Sequence, residues 1–199
     1  MSRRKTPAGK QPRERTEVSS PPPRHTAGGE ALALPAEGVA GAAALVFDVG
    51  GQRFGLPVEH VVQIVEMVEL TPLPKAPEIV AGVINFHGRV IPLVDVRKRL
   101  NLVPQPYSLR TPIVVSRLHD HVTGLIVDSV SGVIEVPLAQ VVDPGEIFSA
   151  ETRPPLPLLR GVARLNDGLL LILDLGTFLS REEEKSLNRA LSRKRSSSS

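Results

Sequence analysis

The chain has 199 residues, 41% of them hydrophobic and 23% charged, a balance typical of a globular protein with one domain or two very small ones. It has no cysteine and only 3% aromatic residues, which excludes disulfides, thiolate zinc sites and cysteine nucleophiles and disfavours base-stacking surfaces. The net charge of +3 comes from the ends, because residues 44–180 carry 11 basic and 14 acidic residues. We therefore expect no specific nucleic-acid partner, and no apolar run is long enough for direct membrane insertion.

Residues 1–43 are predicted to form a disordered basic tail. They contain Pro21-Pro22-Pro23 and Gly28-Gly29 and almost no large apolar residue before Leu32. Such a segment buries too little apolar surface to offset the entropy lost on ordering. Its sparse, proline-interrupted charges favour a solvated linker over a site for nucleic acid or acidic lipid. The folded core is expected over 44–180.

The core is predicted to consist largely of β-hairpins. Two short runs, 45–49 and 52–56, flank a Gly-Gly turn, which is a hairpin signal. Three further hairpins follow the same pattern of apolar runs around turn residues and cover 83–94, 112–127 and 161–173. Many short strands separated by Gly, Pro, Asn and Asp turns are typical of a small barrel or sandwich.

An internal repeat divides this core into two halves. At a shift of 79 residues the run 82–96 matches the run 161–175, and at a shift of 69 residues 55–66 matches 124–135. Each unit type occurs once per half and in the same order, which indicates two copies of one supersecondary unit. We predict halves at roughly 44–108 and 109–180 that are too small to be stable alone and lean on one another around a groove. Exchange of the first strand between them is an alternative arrangement.

Short helices are predicted between and after the hairpins. Asp95 is expected to cap a helix over 96–102, and Asp174 a helix over 175–179, because Asp accepts the free N–H groups of a first turn. The spacing of apolar residues in 58–66 favours a short helix, although its β-branched residues favour a strand. Residues 181–199 are predicted to form a C-terminal helix and a serine tail. The helix opens with a Ser180-x-x-Glu183 capping box and has an apolar stripe of Leu187, Ala190 and Leu191.

No catalytic, cofactor or metal site is predicted. The sequence has no nucleophile elbow, no P-loop and no dinucleotide fingerprint. His119-x-His121 has metal-like spacing, but Asp120 between the two indicates a polar turn. Asp95 and Asp174 occupy equivalent places in the repeat and could act as an acid–base pair, but helix capping explains both. Arg97-Lys98-Arg99 could bind phosphate, but a solvated helix face is favoured.

An apolar groove for protein binding is the favoured functional feature. Val61, Val62, Ile64 and Val65, with Ile113 and Val133, are core candidates, but the interior of a small barrel is limited. Some of these residues are therefore expected to line an exposed groove, and such grooves mark protein-binding sites. A two-lobed β adaptor is accordingly favoured over an enzyme of unknown chemistry.

One family shows the same order of motifs. The run 82–97, Gly-Val-Ile-Asn-Phe-His-Gly-Arg-Val-Ile-Pro-Leu-Val-Asp-Val-Arg, closely resembles the G-V-x-N-L-R-G-x-x-x-P-[IV]-[IV]-[DN]-L-R run of CheW-like chemotaxis coupling proteins. Further similarity lies at 54–61, 124–130 and 169–175. The resemblance covers about 45–180 and neither end of the chain.

The resemblance implies a mainly β fold of two side-by-side SH3-like five-stranded barrels. It implies a non-enzymatic cytoplasmic adaptor without cofactors, recruited to receptor arrays, that links the cytoplasmic tip of a chemoreceptor to the regulatory domain of a CheA-like histidine kinase. That kinase domain is itself similar to CheW, so contacts with other CheW-like proteins are implied as well. The alternative is a diverged regulatory module that binds kinase or CheW-like domains without coupling a receptor.

Five receptor-facing residues are implied by the resemblance: Val61, Gln63, His87, Ile113 and Val133. Two of them depart from the family pattern. His87 stands where the N-L-R-G motif has arginine, and Gln63 stands where V-x-E-I often has glutamate. The two changes together preserve net charge but alter the pairing, so a partner with compensating residues is expected.

Overall fold

The computed structural model describes residues 41–118, 121–148 and 156–196, so almost all of the predicted disordered tail lies outside the described residues. The hairpins predicted from the turn signals are present. The strands are β1 (Gly41–Val49), β2 (Gln52–Pro57), β3 (Val61–Glu66), β4 (Val80–Phe86), β5 (Arg89–Asp95), β6 (Pro112–Leu118), β7 (His121–Ile126), β8 (Ser129–Pro137), β9 (Val141–Val142), β10 (Leu159–Leu165) and β11 (Gly168–Leu173). The helices are α1 (Val96–Arg99), α2 (Pro144–Ile147) and α3 (Arg181–Ser196), with short 3₁₀ helices at Val58–His60, Leu138–Gln140 and Leu156–Leu158.

The strands form two sheets, which confirms the predicted mainly β fold of two barrels. The five-stranded barrel has the order β3-β6-β7-β5-β4. The six-stranded barrel has the order β8-β1-β2-β11-β10-β9, and it exceeds the expected five strands because of the two-residue β9. Neighbouring strands are antiparallel except where β2 meets β11 and where β5 meets β7.

The barrels do not divide at residue 108, because each one takes strands from both halves of the chain. The first hairpin, β1 and β2, belongs to the six-stranded barrel, whose other strands follow residue 128. The chain then crosses through the first 3₁₀ helix to β3, β4 and β5 in the five-stranded barrel. It completes that barrel with β6 and β7 and returns at β8. The exchange thus involves the whole hairpin of β1 and β2. The sequence did not predict this, because hairpin signals indicate which neighbouring strands pair but not which sheet the hairpin joins.

The apolar residues of the strands separate into three cores by their alternation. The five-stranded barrel encloses one cluster that includes Leu93, Ile113 and Val115, and the six-stranded barrel encloses another. The neighbouring positions on the same strands point the other way and form a third, central cluster between the barrels. Its largest fully buried members are Phe47, Phe54, Phe178, Leu56, Leu125, Leu171 and Leu173. The two barrels therefore bury one sheet face against each other.

The repeated glycines stand where the backbone is crowded. A Cβ on Gly82 would lie 2.7 Å from the carbonyl oxygen of Thr71, and a Cβ on the equivalent Gly161 would lie 2.6 Å from Val141. At both places a segment bridges onto the first strand of the next hairpin: Thr71, after β3, bridges onto β4, and β9, after β8, pairs with β10. Glycine permits this close crossing in both barrels.

Two predicted helices are shorter than expected, and a third is absent. Only Val58–His60 is helical in the predicted helix over 58–66, and Val61–Glu66 is a strand. The β-branched residues prevail there because β3 pairs with β6 along its length. No helix follows Asp174, which instead accepts the N–H of Gly176 in a turn. Asp95 does cap α1 by accepting the N–H of Lys98, although the helix ends earlier than predicted.

The C-terminal helix α3 is attached to the core as its apolar stripe predicts. Leu187 and Ala190 are buried in the central cluster. The capping box is formed, since Ser180 N–H donates to the Glu183 carboxylate and Glu183 N–H donates to the Ser180 hydroxyl. An ion pair from Arg99 to Glu183 at 3.3 Å ties the first turn of α3 to the end of α1.

Candidate protein-binding surface

The five implied receptor-facing residues differ in exposure. Gln63 and His87 are exposed and Val133 keeps 59% of its surface in solvent. Val61 is half-buried against the central cluster. Ile113 has no exposed surface and belongs to the core of the five-stranded barrel, so its assignment to a partner-facing surface is wrong. Its place in β6, between β3 and β7, buries it, and sequence spacing alone does not show that neighbourhood.

The structure brings Gln63 and His87 together. His87 Nε2 lies 3.4 Å from Oε1 of Gln63, in position to donate a hydrogen bond when it carries the proton. Gln63 is on β3 and His87 follows β4, and these two strands are the opposite edges of the five-stranded sheet. The contact therefore spans the seam where the sheet closes into a barrel. The two residues that the resemblance marks as departures from the family motif are therefore in contact with each other.

A tight turn fixes the position of His87. His87 and Gly88 both have positive φ, 50° and 79°, as a two-residue type I′ hairpin requires. Asn85 supports the turn by accepting the N–H of Gly88 at 2.8 Å. The ring of Phe86 packs edge-on against the imidazole at a centroid distance of 4.4 Å. His87 is thus held on a rigid turn, where a side chain is well placed for binding.

Exposed apolar residues lie on β3 and β8 beside the central core. Val62 and Ile64 on β3 keep 43% and 42% of their surface exposed, and Val133 on β8 keeps 59%. Ile64 pairs with Val114 and Val133 pairs with Leu45, and both partners are buried in the central cluster. The internal repeat places Ile64 and Val133 at equivalent positions. We call Val62, Ile64 and Val133 the apolar stripe; the first two lie on an edge strand of the five-stranded barrel, and Val133 lies on an edge strand of the six-stranded barrel.

A polar junction that the sequence did not predict connects the barrels. Arg97 of α1 donates from Nε and Nη2 to the two carboxylate oxygens of Asp128, each at 2.6 Å. The same carboxylate accepts the N–H of Gly50 in the β1–β2 turn at 2.7 Å. Arg97 was expected on a solvated helix face, yet only 14% of its side chain is exposed. The sequence offered one signal for this junction: the internal repeat aligns Asp128 with Glu59, so an acidic residue occurs at the same position in both copies.

The charges of the junction shift the pKa of its members. Partial burial raises the pKa of Asp128, but the hydrogen bonds from Arg97 and Gly50 and the charge of Arg97 outweigh it, so the pKa lies below its ordinary value. The hydrogen bond to Asp128 raises the pKa of Arg97. Nearby, burial and a 2.5 Å hydrogen bond to Asp95 raise the pKa of Tyr107. Asp128 therefore remains a carboxylate at neutral pH and holds the two barrels in one arrangement.

The other candidate sites of the sequence have structural explanations. Asp95 is 2% exposed and accepts from Tyr107 and the N–H of Lys98, whereas Asp174 supports a separate turn. His119 and Asp120 lie outside the described residues, and His121 is exposed at the start of β7. Among the described residues, no group of three or more His, Cys, Asp or Glu could hold a metal ion. In that part of the chain, no helix is long and apolar enough to cross a membrane.

The two sheets define a two-barrel β protein, and comparisons with known proteins identify the family that has this fold. Residues 43–183 match the family model described as the CheW-like domain. The chain is 31% identical over 141 residues to the chemotaxis protein CheW of Rhizobium meliloti (strain 1021), covering 71% of this chain and 89% of the relative. It is 33% identical over 98 residues to the protein FrzA of Myxococcus xanthus, covering 49% and 61%. The crystal structure of the scaffolding protein TtCheW from Thermoanaerobacter tengcongensis matches with a TM-score of 0.64 and 26% identity over 72% of this chain and 96% of that one.

The chain belongs to the CheW-like family of chemotaxis scaffold proteins. Proteins of this family are non-enzymatic, which confirms the expectation of an adaptor rather than an enzyme. The matched region ends at residue 183, so most of α3 lies beyond it.

Proposed function

We propose that this protein couples the cytoplasmic tip of a chemoreceptor to the regulatory domain of a CheA-like histidine kinase in the cytoplasm. The observation that carries the proposal is the apolar stripe beside the exposed Gln63–His87 pair. Apolar side chains rimmed by polar groups on a rigid scaffold are the usual composition of a protein-binding surface. Membership of the CheW-like family supports the choice of receptor and kinase as partners.

The stripe is suited to a receptor element that contacts both barrels at once. Val62 and Ile64 belong to one barrel and Val133 to the other. The Arg97–Asp128 junction fixes the two barrels relative to one another, so the two parts of the stripe are preorganised. Preorganisation lowers the entropy lost on binding and thereby increases affinity.

The Gln63–His87 pair supports a receptor that differs from the family type. An arginine would supply a fixed charge and five donors, whereas a histidine supplies at most two donors. We expect the native receptor to present a hydrogen-bond acceptor at this position in place of a fully charged partner. We expect specificity for this native receptor over receptors of the family type, because a charged residue on a family-type receptor would find no residue of fixed opposite charge at Gln63 or His87.

Binding measurements with purified receptor tip and kinase regulatory domain, separately and together, test the coupling. Ile64→Glu and Val133→Glu should each reduce receptor-tip affinity at least about tenfold, because a charge is buried without a partner. Val103→Glu is the matched control, since Val103 is 79% exposed but lies in the loop after α1. A chain that binds the kinase domain but no receptor tip would instead be the regulatory module. Loss of binding in Val103→Glu equal to that in the stripe variants would remove the stripe from the site.

The role of His87 is tested by substitution. His87→Ala should change stability by no more than about 0.5 kcal/mol, because the side chain is exposed. It should weaken receptor binding by about 1–2 kcal/mol if the imidazole donates a hydrogen bond there. Titrations against the receptor tip, with thermal melts alongside, measure both. Unchanged affinity excludes His87 from the site, and a large loss of stability shows a structural role for the turn.

A further inference from the structure

A row of positive charges on α3 is not explained by the receptor- and kinase-coupling function. Arg181, Lys185, Arg189 and Arg193 follow one another at intervals of four residues, and all four are exposed. Residues four apart lie on the same side of a helix, so the four cations form one ridge of about 18 Å. We call these four residues the α3 row. Three of them lie beyond residue 183, where the match to the CheW-like family ends.

The α3 row has no internal partner in the described part of the chain. The ion pairs found there join Arg53 to Asp167, Arg97 to Asp128 and Arg99 to Glu183, and none includes a member of the row. Like charges four residues apart weaken a helix, and the row contains three such neighbouring pairs. Within the described residues, no ion pair therefore offsets the repulsion between neighbouring members of the row.

The helix that carries the row is held firmly. Its opposite face buries Leu187 and Ala190 in the central core. Ser186 donates to the carbonyl of Lys75 at 3.2 Å, and Glu183 serves both the capping box and the ion pair with Arg99. The row is therefore held on a rigid helix. Because the opposite face of α3 is buried in the core, the face that carries the row is the one accessible to a partner.

We propose that the α3 row docks an acidic α-helix of a protein partner. Ridges of residues four apart pack into the grooves beside the corresponding ridges of a second helix, so glutamate or aspartate at intervals of four would lie alongside the cations. The row has no aromatic or apolar neighbour on its exposed face that would insert into a lipid surface. The exposed Glu182 at its start repels a continuous phosphate backbone or an anionic bilayer. A partner helix avoids this repulsion with a neutral or basic residue at that position.

The test uses the full chain and two helical peptides of identical composition. One peptide carries glutamate at every fourth position, and the other has the same glutamates distributed around the helix. Fluorescence anisotropy at about 50 mM salt keeps exposed charges weakly screened. The aligned peptide should bind about tenfold more tightly than the permuted one, as expected of four exposed ion pairs acting together.

Two charge-matched variants separate the row from net charge. R181Q/K185Q/R189Q/R193Q removes the row, and R110Q/R117Q/R160Q/R164Q removes four exposed arginines elsewhere. The row variant should lose about tenfold in affinity for the aligned peptide, and the control variant less than about threefold. The melting temperature of the row variant should stay the same or rise, because like-charge repulsion is removed. If it falls instead, the same comparison is made with R189Q/R193Q.

Several results would overturn the proposal. Equal loss in the two variants would show attraction to net charge alone. Equal binding of the two peptides would exclude recognition of a helical row. Binding is also measured to vesicles of equal parts phosphatidylglycerol and phosphatidylcholine and to a duplex DNA. If the vesicles or the DNA bind more tightly than the aligned peptide, and the row variant loses this binding, the row recognises a lipid surface or nucleic-acid phosphates instead of an acidic helix. Receptor and kinase binding by the row variant is measured in parallel, so that failure of this proposal is distinguished from failure of the coupling function.

Discussion

The substitution Gly124→Ala tests whether crowding inside the barrels explains the repeated glycines. A Cβ on Gly124 would lie 2.3 Å from Cδ2 of Leu93 and 2.7 Å from Cγ2 of Ile113. Favourable contacts between carbon atoms lie near 3.5–4.0 Å, so Leu93 would have to move by more than about 1 Å. Both side chains are fully buried, and the space around them is filled.

The expected magnitude follows from two opposing effects. Overpacking a core by one methyl group costs about 1–3 kcal/mol, and the short distances here favour the upper half of that range. Alanine also lowers the conformational entropy of the unfolded chain, which stabilises the folded state by about 0.4–1 kcal/mol. Gly124 does not have positive φ, so alanine adds no backbone strain. We expect a net loss of about 1–2.5 kcal/mol in the free energy of unfolding.

Urea denaturation of the wild type, Gly124→Ala and Gly55→Ala measures this cost. Gly55 is the repeat equivalent, but a Cβ there would lie 3.0–3.3 Å from side-chain atoms of Ile172 and Leu170, which need to move only slightly. Gly55→Ala should therefore cost at least about 1 kcal/mol less than Gly124→Ala. In a double-mutant cycle, Leu93→Ala should relieve part of the cost of Gly124→Ala. Equal stability of all three proteins, or strict additivity in the cycle, would refute the reasoning.

Two other predictions concern the junction and the chain start. Asp128→Asn should lower the free energy of unfolding by about 1.5–3 kcal/mol in urea titrations, because it removes the charged pair with Arg97. The pKa of Asp128 is lower in the folded protein than in the unfolded chain, so its carboxylate stabilises the fold above the unfolded pKa near 3.9, and this stabilisation is lost as pH falls through the folded pKa. Below about pH 4, the wild type should therefore lose more stability than Asp128→Asn. Identical pH profiles of the two proteins would contradict this. Removal of residues 1–40 should change the melting temperature by less than about 2 °C, since this segment has few apolar residues that could pack against the core. Removal of residues 1–45 should unfold the chain, because it deletes the buried Leu45. A large change in melting temperature with the shorter deletion would show that the tail is part of the fold.

Much of the local structure could be predicted from the sequence because hairpins depend on neighbouring residues. Gly50-Gly51 marks a turn by the backbone freedom of glycine, and His87-Gly88 marks one by its glycine between two apolar runs; both turns are present. The capping box at Ser180 is equally local. The helix expected over 58–66 was wrong because its outcome depends on β6, a strand nearly fifty residues away that pairs with it.

The candidate site was less predictable because its parts meet only after the barrels close. Gln63 and His87 are 24 residues apart and touch across a seam between edge strands. Ile113 has the same apolar character as Val133, but its strand lies inside the sheet and that of Val133 at an edge. Arg97 was expected to be solvated because nothing near it in sequence reveals Asp128 as its partner. Single-sequence reasoning identifies candidate residue types, whereas exposure and pairing are tertiary.

The exchange of strands between the halves has a consequence for the order of biosynthesis. β1 and β2 leave the ribosome before any other strand described here, yet their partners β8 and β11 are among the last to be made. The five-stranded barrel has all its strands once β7 has emerged. At 5–20 residues per second, the hairpin of β1 and β2 waits on the order of ten seconds with both outer edges unpaired. During that time the unpaired edges of residues 41–57 are open to pairing with another chain, which is an aggregation hazard until β8 and β11 cover them.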